Sequence, residues 1–142
     1  TLDFVGEIVL YFDFTQKEEI ILLTDRNLYF ISDGKIMWKK QFDLIRDIYL
    51  KKDMIYILYS NYLEVIDFSG RTQNKLGLVE EYDEILPFGE NILLYGHNHL
   101  VVIKDGKEMF KLIEEIEKAF ASKDEILILG PEDVKIYELS NK

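Results

Sequence analysis

One short pattern occurs four times along the chain and constrains its fold more than any other feature. In each copy an isoleucine is followed by a second apolar anchor eight residues later. The isoleucines are Ile20, Ile55, Ile92 and Ile126, so successive copies begin 35, 37 and 34 residues apart. A period of this length is typical of proteins built from stacked structural repeats. Because four copies account for the whole length, we expect residues 1–142 to form one repeat domain.

Each copy contains two short runs that are apolar on both faces, such as residues 20–23 and 28–31. A strand with one solvent-exposed face alternates apolar and polar residues, whereas a strand buried on both faces is apolar throughout. The dipeptides Asp33-Gly34 and Asp105-Gly106, and Ser69-Gly70 at the matching place, predict tight hairpin turns. The sequence therefore predicts an all-β fold of about four four-stranded antiparallel sheets that stack face to face.

Each unit is completed by a polar outer strand and an innermost strand. The expected outer strands are residues 36–42, 72–78 and 108–112, where Lys and Gln suit an edge. The expected innermost strands are residues 7–14, 46–50, 82–86 and 116–121. The last unit lacks an outer strand. We hypothesise that residues 1–5 supply it and so join the two ends of the chain.

Residues 108–121 allow two interpretations. Met109, Leu112, Ile113, Ile116 and Phe120 recur at helical spacing, with charged residues between them. The same residues also fit the outer and innermost strands of successive units. The sequence leaves a short helix and a pair of strands equally open.

The repeat resembles that of the quinoprotein-type and tryptophan–aspartate β-propellers. The resemblance is carried by Asp53-x-Ile55-Tyr56, Leu63-x-Val65-Ile66-Asp67 and Ser69-Gly70-Arg71, and by the Gly-Lys-x-x-Trp turn that ends at Trp38. Asn74 and Phe110 stand at the places equivalent to Trp38. The resemblance implies a propeller that presents a binding face. Some members bind a quinone cofactor, but no residue set here matches that site, so we expect no cofactor.

Four blades are few for such a ring. The chain either closes on itself or forms half of a larger ring, which a second copy or further sequence completes. Uncovered blade faces would form a large apolar patch, and such patches are rare on soluble monomers. Closure, a homodimer or another partner is therefore required.

The composition narrows the class of partner. The net charge is −10, which repels phosphate groups, so we expect neither nucleic acid nor an anionic membrane as a partner. A protein with a basic or mixed surface fits better. The absence of cysteine excludes disulfides and thiolate metal sites. Without an apolar leader or a long apolar run, we expect a cytoplasmic protein.

The loops between paired strands and the segments entering each blade should open on one end of the ring. They differ between copies, and loops on a rigid scaffold often carry function. Tyr and Arg dominate interface hot spots. The side chains that we expect to anchor a partner are Arg26, Arg46, Tyr62, Tyr82, His97 and His99.

No motif predicts catalysis. The acidic residues 80–84 and 114–117 contain paired carboxylates, which fit a solvated loop better than an acid–base pair. His97 and His99 lie in a loop without an evident third ligand, so we predict no metal site. We expect a non-enzymatic scaffold that binds a protein through its loops. The alternatives are a propeller domain of a larger enzyme or assembly, and a small-ligand or metal site on the axis at His97 and His99.

Overall fold

The computed structural model describes residues 4, 6–42 and 44–139. Fifteen strands lie within these residues. In chain order they are β1 (Val9–Phe14), β2 (Ile20–Thr24), β3 (Asn27–Ser32), β4 (Lys35–Gln41), β5 (Asp47–Lys51), β6 (Met54–Leu58), β7 (Tyr62–Asp67), β8 (Thr72–Gly77), β9 (Glu84–Phe88), β10 (Asn91–Tyr95), β11 (His99–Lys104), β12 (Lys107–Ile113), β13 (Lys118–Ala121), β14 (Glu125–Leu129) and β15 (Val134–Glu138).

The strands form four antiparallel sheets, each a meander in sequence order. Blades 1, 2 and 3 contain β1–β4, β5–β8 and β9–β12, and within the described residues blade 4 contains the three strands β13–β15. The innermost strand β9 lies next to β5 and β13. Four-stranded meanders stacked around their first strands are the blades of a β-propeller, as the repeat predicts.

Three apolar seams hold the blades together, and they explain the continuous apolar runs. In β6, Ile55 and Ile57 face blade 1, whereas Tyr56 and Leu58 face blade 3. Alternate residues of one strand thus enter different seams, because successive side chains point to opposite faces of a sheet. The third seam, between blades 3 and 4, contains Leu93 and other residues that are fully buried.

The segment that the sequence left open, residues 108–121, forms strands β12 and β13 joined by a short irregular connection, and it contains no helix. Phe110 and Leu112 of β12 pack into the third seam, and Met109 and Ile113 on the other face are exposed. Buried and exposed side chains thus alternate with a period of two residues, as in a strand. β12 pairs with β11 and β13 pairs with β14, and this backbone pairing overrides the helical propensity of the segment.

No buried cluster in the described part of the chain joins blade 4 to blade 1. Phe12 and Phe14 on the outward face of blade 1 are 60% and 55% exposed, and Ile136 on the outward face of blade 4 is 65% exposed. A closed ring would bury these side chains. The described blades therefore form an open arc, a partial propeller.

Most of the segment expected to complete blade 4, residues 1–3 and 5, lies outside the described residues. Phe4 is described, and its ring lies 4.9 Å from that of Tyr29 on blade 1. The Glu7 carboxylate accepts hydrogen bonds from Tyr29 Oη at 2.6 Å, Asn27 Nδ2 at 2.7 Å and Thr24 Oγ1 at 2.8 Å. The described residues before β1 are thus attached to blade 1.

The hydrogen bonds of Glu7 should make the thermal stability of the protein depend on pH in the acidic range. Hydrogen bonds from Tyr29, Asn27 and Thr24 hold the pKa of Glu7 below its ordinary value of 4.5. A lowered folded-state pKa gives stability that is fully present above the unfolded value and is lost as the pH falls through the folded one. We expect the Tm of Glu7→Gln to lie below that of the wild type at neutral pH, and this gap to close below about pH 4. Thermal unfolding by circular dichroism measures the gap, and a gap that does not change with pH would contradict the assignment.

Candidate partner-binding surfaces

The loops that the sequence groups together do meet at one end of the arc, which we call the loop face. It consists of the β2–β3, β6–β7, β10–β11 and β14–β15 loops and the segments that connect successive blades. The connecting segments bond to the neighbouring blade elements: Arg46 N donates to Leu58 O at 2.8 Å, and Ile116 N donates to His97 O at 2.7 Å. These main-chain bonds fix the loop face to the rigid sheets.

A charged network crosses the loop face between blades 2 and 3. Arg46 Nη1 lies 2.6 Å from Asp83 Oδ1, and the other Asp83 oxygen lies 4.0 Å from His97 Nε2. His99 Nε2 lies 3.2 Å from Glu80. The structure therefore brings three of the expected anchors, Arg46, His97 and His99, around one hollow of about 420 Å³.

Two exposed apolar side chains lie on the loop face, one beside this network and one at a second hollow, and the sequence analysis did not select them. Val79 is 86% exposed and lines the same hollow. Leu44 is 88% exposed and lines a second hollow of about 540 Å³ at the first seam. Each lies in a connecting segment next to another apolar residue, Ile45 or Leu78, which packs into a seam. An apolar pair in a connecting segment was the signal that could have identified them.

Arg26 is the expected anchor at the second hollow. It lines that hollow with Asn27, Phe42 and Leu44. Within the described residues its guanidinium has no hydrogen bond or ion pair, and only its main-chain N–H is bonded, to Thr24 Oγ1.

Tyr62 lies further out on blade 2 and is separate from both hollows. Its ring stacks on that of Tyr59 with centroids 4.3 Å apart, and Lys75 Nζ lies 4.2 Å from the Tyr62 centroid. The ring is only partly exposed. The structure thus places Tyr62 in an aromatic stack that also supports blade 2.

Tyr82 was expected at the surface, and the structure places it in the core. It is fully buried in the second seam, among Leu58, Leu78 and Ile85. Burial raises the pKa of Tyr82 to about 12, with Glu108 and Glu80 acting in the same direction. Its hydroxyl has no hydrogen-bond partner among the described residues. The connecting segment turns inward here because its tyrosine completes the seam, so Tyr82 does not reach a partner.

The two histidines are not brought together as ligands. His97 is directed to Asp83 and His99 to Glu80, and His97 is 90% exposed. In the described part of the chain, no group of three or more His, Cys, Asp or Glu side chains is arranged to hold a metal ion. Both histidines lie on the loop face over the second seam and not on the innermost strands.

On the innermost strands a partly buried carboxylate links blades 2 and 3. Asp47 Oδ2 accepts a hydrogen bond from Ile85 N at 2.7 Å, and Oδ1 accepts one from Ile48 N. Burial raises the pKa of Asp47, and these two N–H donors oppose the rise. The carboxylate is occupied by main-chain donors and serves the contact between blades.

Each end of the arc carries several exposed large apolar side chains. On the first terminal face, the Phe12 and Phe14 rings project from β1 with centroids 6.1 Å apart. On the last terminal face, Phe120, Leu127 and Ile136 lie in one row across β13, β14 and β15. These faces are equivalent to the blade faces that are buried inside the arc. Each therefore has the apolar composition of one half of a seam, without a second blade packed on it.

Solved structures with the same fold were found, all at low sequence identity. The WD40 domain of Neurospora crassa Pan2 has a TM-score of 0.70 and 16% identity, with 92% of this chain and 48% of that one covered. Sqt1 of Saccharomyces cerevisiae has a TM-score of 0.73 and 13% identity, with 96% of this chain and 47% of that one covered. The computationally designed Ika4 protein has a TM-score of 0.78 and 9% identity, with 99% of this chain and 96% of that one covered. The chain thus spans about half the length of the natural structures.

These likenesses and the four meanders define the class: the chain is a partial β-propeller, with a fold similar to that of WD40 domains. Residues 1–139 match the family of unknown function DUF5711, and the chain belongs to that family. No curated protein matches it. The comparisons support the WD-like part of the resemblance seen in the sequence and leave the quinoprotein-type part a hypothesis. No helix in the described residues is long and apolar enough to cross a bilayer.

Proposed function

We propose that this chain is a non-catalytic interaction scaffold that binds a partner protein through its loop face. The observation that carries the proposal is the pairing of exposed apolar side chains with a charged network on one rigid surface. Val79 stands beside the network of Arg46 and Asp83, and Leu44 stands beside Arg26. Protein interfaces combine an apolar centre with a polar rim in this way.

The charges of the loop face favour a partner with a basic or mixed surface. Glu81 is 76% exposed and only 3.9 Å from Arg46, and Glu115 and Glu117 are also exposed. Carboxylates on a rim accelerate association with a basic surface and make it sensitive to salt. A cytoplasmic location remains part of this proposal, as does the absence of nucleic acid and membrane from its partners.

Charge reversal on the loop face tests this proposal. The double variant Glu81→Lys, Glu115→Lys reverses two exposed charges there, and Asp124→Lys, Glu125→Lys reverses two at the opposite end as a matched control. Proteins captured by the wild type from an extract of its own organism would be identified, purified and measured by calorimetry at low and high salt. We expect the loop-face variant to bind at least roughly tenfold more weakly, and the control to bind like the wild type.

Two outcomes would contradict the proposal. One is a captured protein whose affinity falls equally in both double variants. The other is an affinity that salt does not change, because binding through exposed carboxylates must weaken as the charges are screened.

A second candidate function concerns the terminal faces. We propose that two copies complete one ring, with the last terminal face of each copy packed on the first terminal face of the other. The exposure of Phe12, Phe14 and Ile136 favours this assembly. The alternative of a propeller domain within a larger enzyme gains no support from the described residues.

A further inference from the structure

The three seams can be compared position by position, because the outer strands pair in the same register. Trp38 lies opposite Phe30, Asn74 lies opposite Val65, and Phe110 lies opposite Val102. These pairs hold the same place in successive blades. An aromatic ring therefore stands at this place in the first and third seams, whereas a small amide stands there in the second.

In the first seam the ring is part of a packed stack. The Trp38 indole lies parallel to Phe30 at 5.8 Å between centroids, and Phe30 lies 5.4 Å from Phe68 of the next blade. Trp38 Nε1 donates a hydrogen bond to Phe68 O at 2.7 Å. In the third seam, the Phe110 ring lies 6.3 Å from that of Tyr137.

The second seam keeps the backbone of this arrangement and lacks the rings. A Cβ added to Gly70 would lie 3.5 Å from the Trp38 indole, and one added to Gly106 would lie 2.7 Å from Asn74 Nδ2. The turn glycine therefore meets the same outer-strand position in both seams. Val65, Asn74 and Asp105 stand where the first seam has Phe30, Trp38 and Phe68.

The missing rings leave a cleft of about 410 Å³, which all three of these replacements line. This volume lies within the range of about 300 to 1,000 Å³ that is usual for small-molecule sites. Apolar side chains from both blades form the rest of its wall: Met54, Tyr56, Leu63, Leu76, Ile92 and Ile103.

The rim of the cleft is polar, and its charges are balanced. Lys51 Nζ donates to Glu90 O, and Lys52 Nζ lies 3.7 Å from the Glu90 carboxylate. Asn74 Oδ1 accepts from Lys75 N at 2.9 Å, while the Asn74 amide nitrogen has no acceptor among the described residues. A free donor beside an apolar wall suits the edge of a neutral heteroaromatic ring.

We propose that this cleft binds a small neutral molecule with a planar aromatic ring of about the size of indole. The ring lies between blades 2 and 3 in the place that Trp38 occupies between blades 1 and 2, and the Asn74 amide donates to an acceptor on its edge. The site lies at the end opposite the loop face and is independent of partner binding there.

Titration with indazole, which has the size of indole and an acceptor nitrogen on its edge, tests the proposal when it is followed in the amide NMR spectrum of the nitrogen-labelled chain. We expect saturable shifts in the millimolar range at residues that line the cleft, such as Tyr56, Leu76 and Ile92, and none at His97 or Asn98. Absence of saturable shifts up to the solubility limit of indazole would overturn the proposal. Shifts confined to Phe12 and Phe14 would also overturn it, because they would show adsorption to an exposed apolar face.

Variants in which a side chain of the protein itself fills the cleft provide the matched comparison with the wild type. Asn74→Trp supplies the ring of the first seam, and we expect it to raise the Tm and to weaken indazole binding at least tenfold. Asn98→Trp places the same residue on the loop face and should leave the indazole affinity unchanged. Asn74→Phe, which copies Phe110, replaces the first variant if that one fails to fold. Unchanged affinity in a folded Asn74 variant would overturn the assignment.

Discussion

Light scattering on the purified chain is expected to give a mass twice the 16.8 kDa of a single copy. Two copies bury both terminal faces of each, and a two-fold axis makes the two new seams identical. Phe12 and Phe14 enter one side of each seam, and Phe120 and Ile136 enter the other. Full burial of such a side chain is worth about 1.5–3 kcal/mol, so several of them can offset the cost of association.

A lysine in the new seam should separate the copies. We expect Ile136→Lys and Phe12→Lys to behave as single chains at the same concentration, since an unpaired charge buried in a seam costs several kcal/mol. Val79→Lys introduces the same charge on the loop face and should keep the doubled mass. A folded wild type that scatters as a single chain, or an Ile136→Lys variant that keeps the doubled mass, would contradict ring completion by a second copy.

The substitution Trp38→Ala is expected to lower the free energy of unfolding by about 3 kcal/mol, with a fall in Tm of about 10 °C. The indole contributes its stack on Phe30 and its hydrogen bond to Phe68 O, so its removal leaves a cavity and a carbonyl without its donor. Its partners belong to two blades. The loss should therefore weaken the contact between blades 1 and 2. Chemical denaturation followed by circular dichroism measures it.

Two variants separate the ring from the hydrogen bond. Trp38→Phe keeps an aromatic ring and loses the N–H donor, so we expect a cost of about 1 kcal/mol. Met37→Ala changes the neighbouring side chain, which is 59% exposed, and should change stability by less than about 0.5 kcal/mol. If Trp38→Ala costs no more than Met37→Ala, the seam does not depend on the indole.

Much of the architecture could be predicted because local spacing sets it. The eight-residue interval between anchors predicts paired strands, and Leu28 and Leu63 do lie in strands next to those of Ile20 and Ile55. The equivalence of Trp38, Asn74 and Phe110 is confirmed by their register. Hairpin register follows from turn length, which is read directly from the chain.

The site residues could be predicted only in part. The sequence identified the loops, and it selected Arg46, His97 and His99, which the structure gathers at one hollow. It placed Tyr82 at the surface, because a tyrosine among four acidic neighbours fits an exposed loop. The direction of a side chain in an irregular segment depends on which seam lies beneath it, and no local pattern encodes that.

The sequence by itself determined most of the strands, their order and their pairing into meanders, since side-chain period and turn chemistry act over a few residues. Residues 108–121 are the exception, because only their pairing with β11 and β14 selected strands over a helix. Only the tertiary structure decided that the described blades form an open arc. An apolar run shows that a strand face must be buried, but it does not show which element covers that face. The cleft, too, is visible only in the tertiary structure. It lies where the second seam has Asn74 at the position that Trp38 occupies in the first seam. A missing ring becomes a cavity when rigid neighbours, here Tyr56 and Ile92, do not move in to fill it.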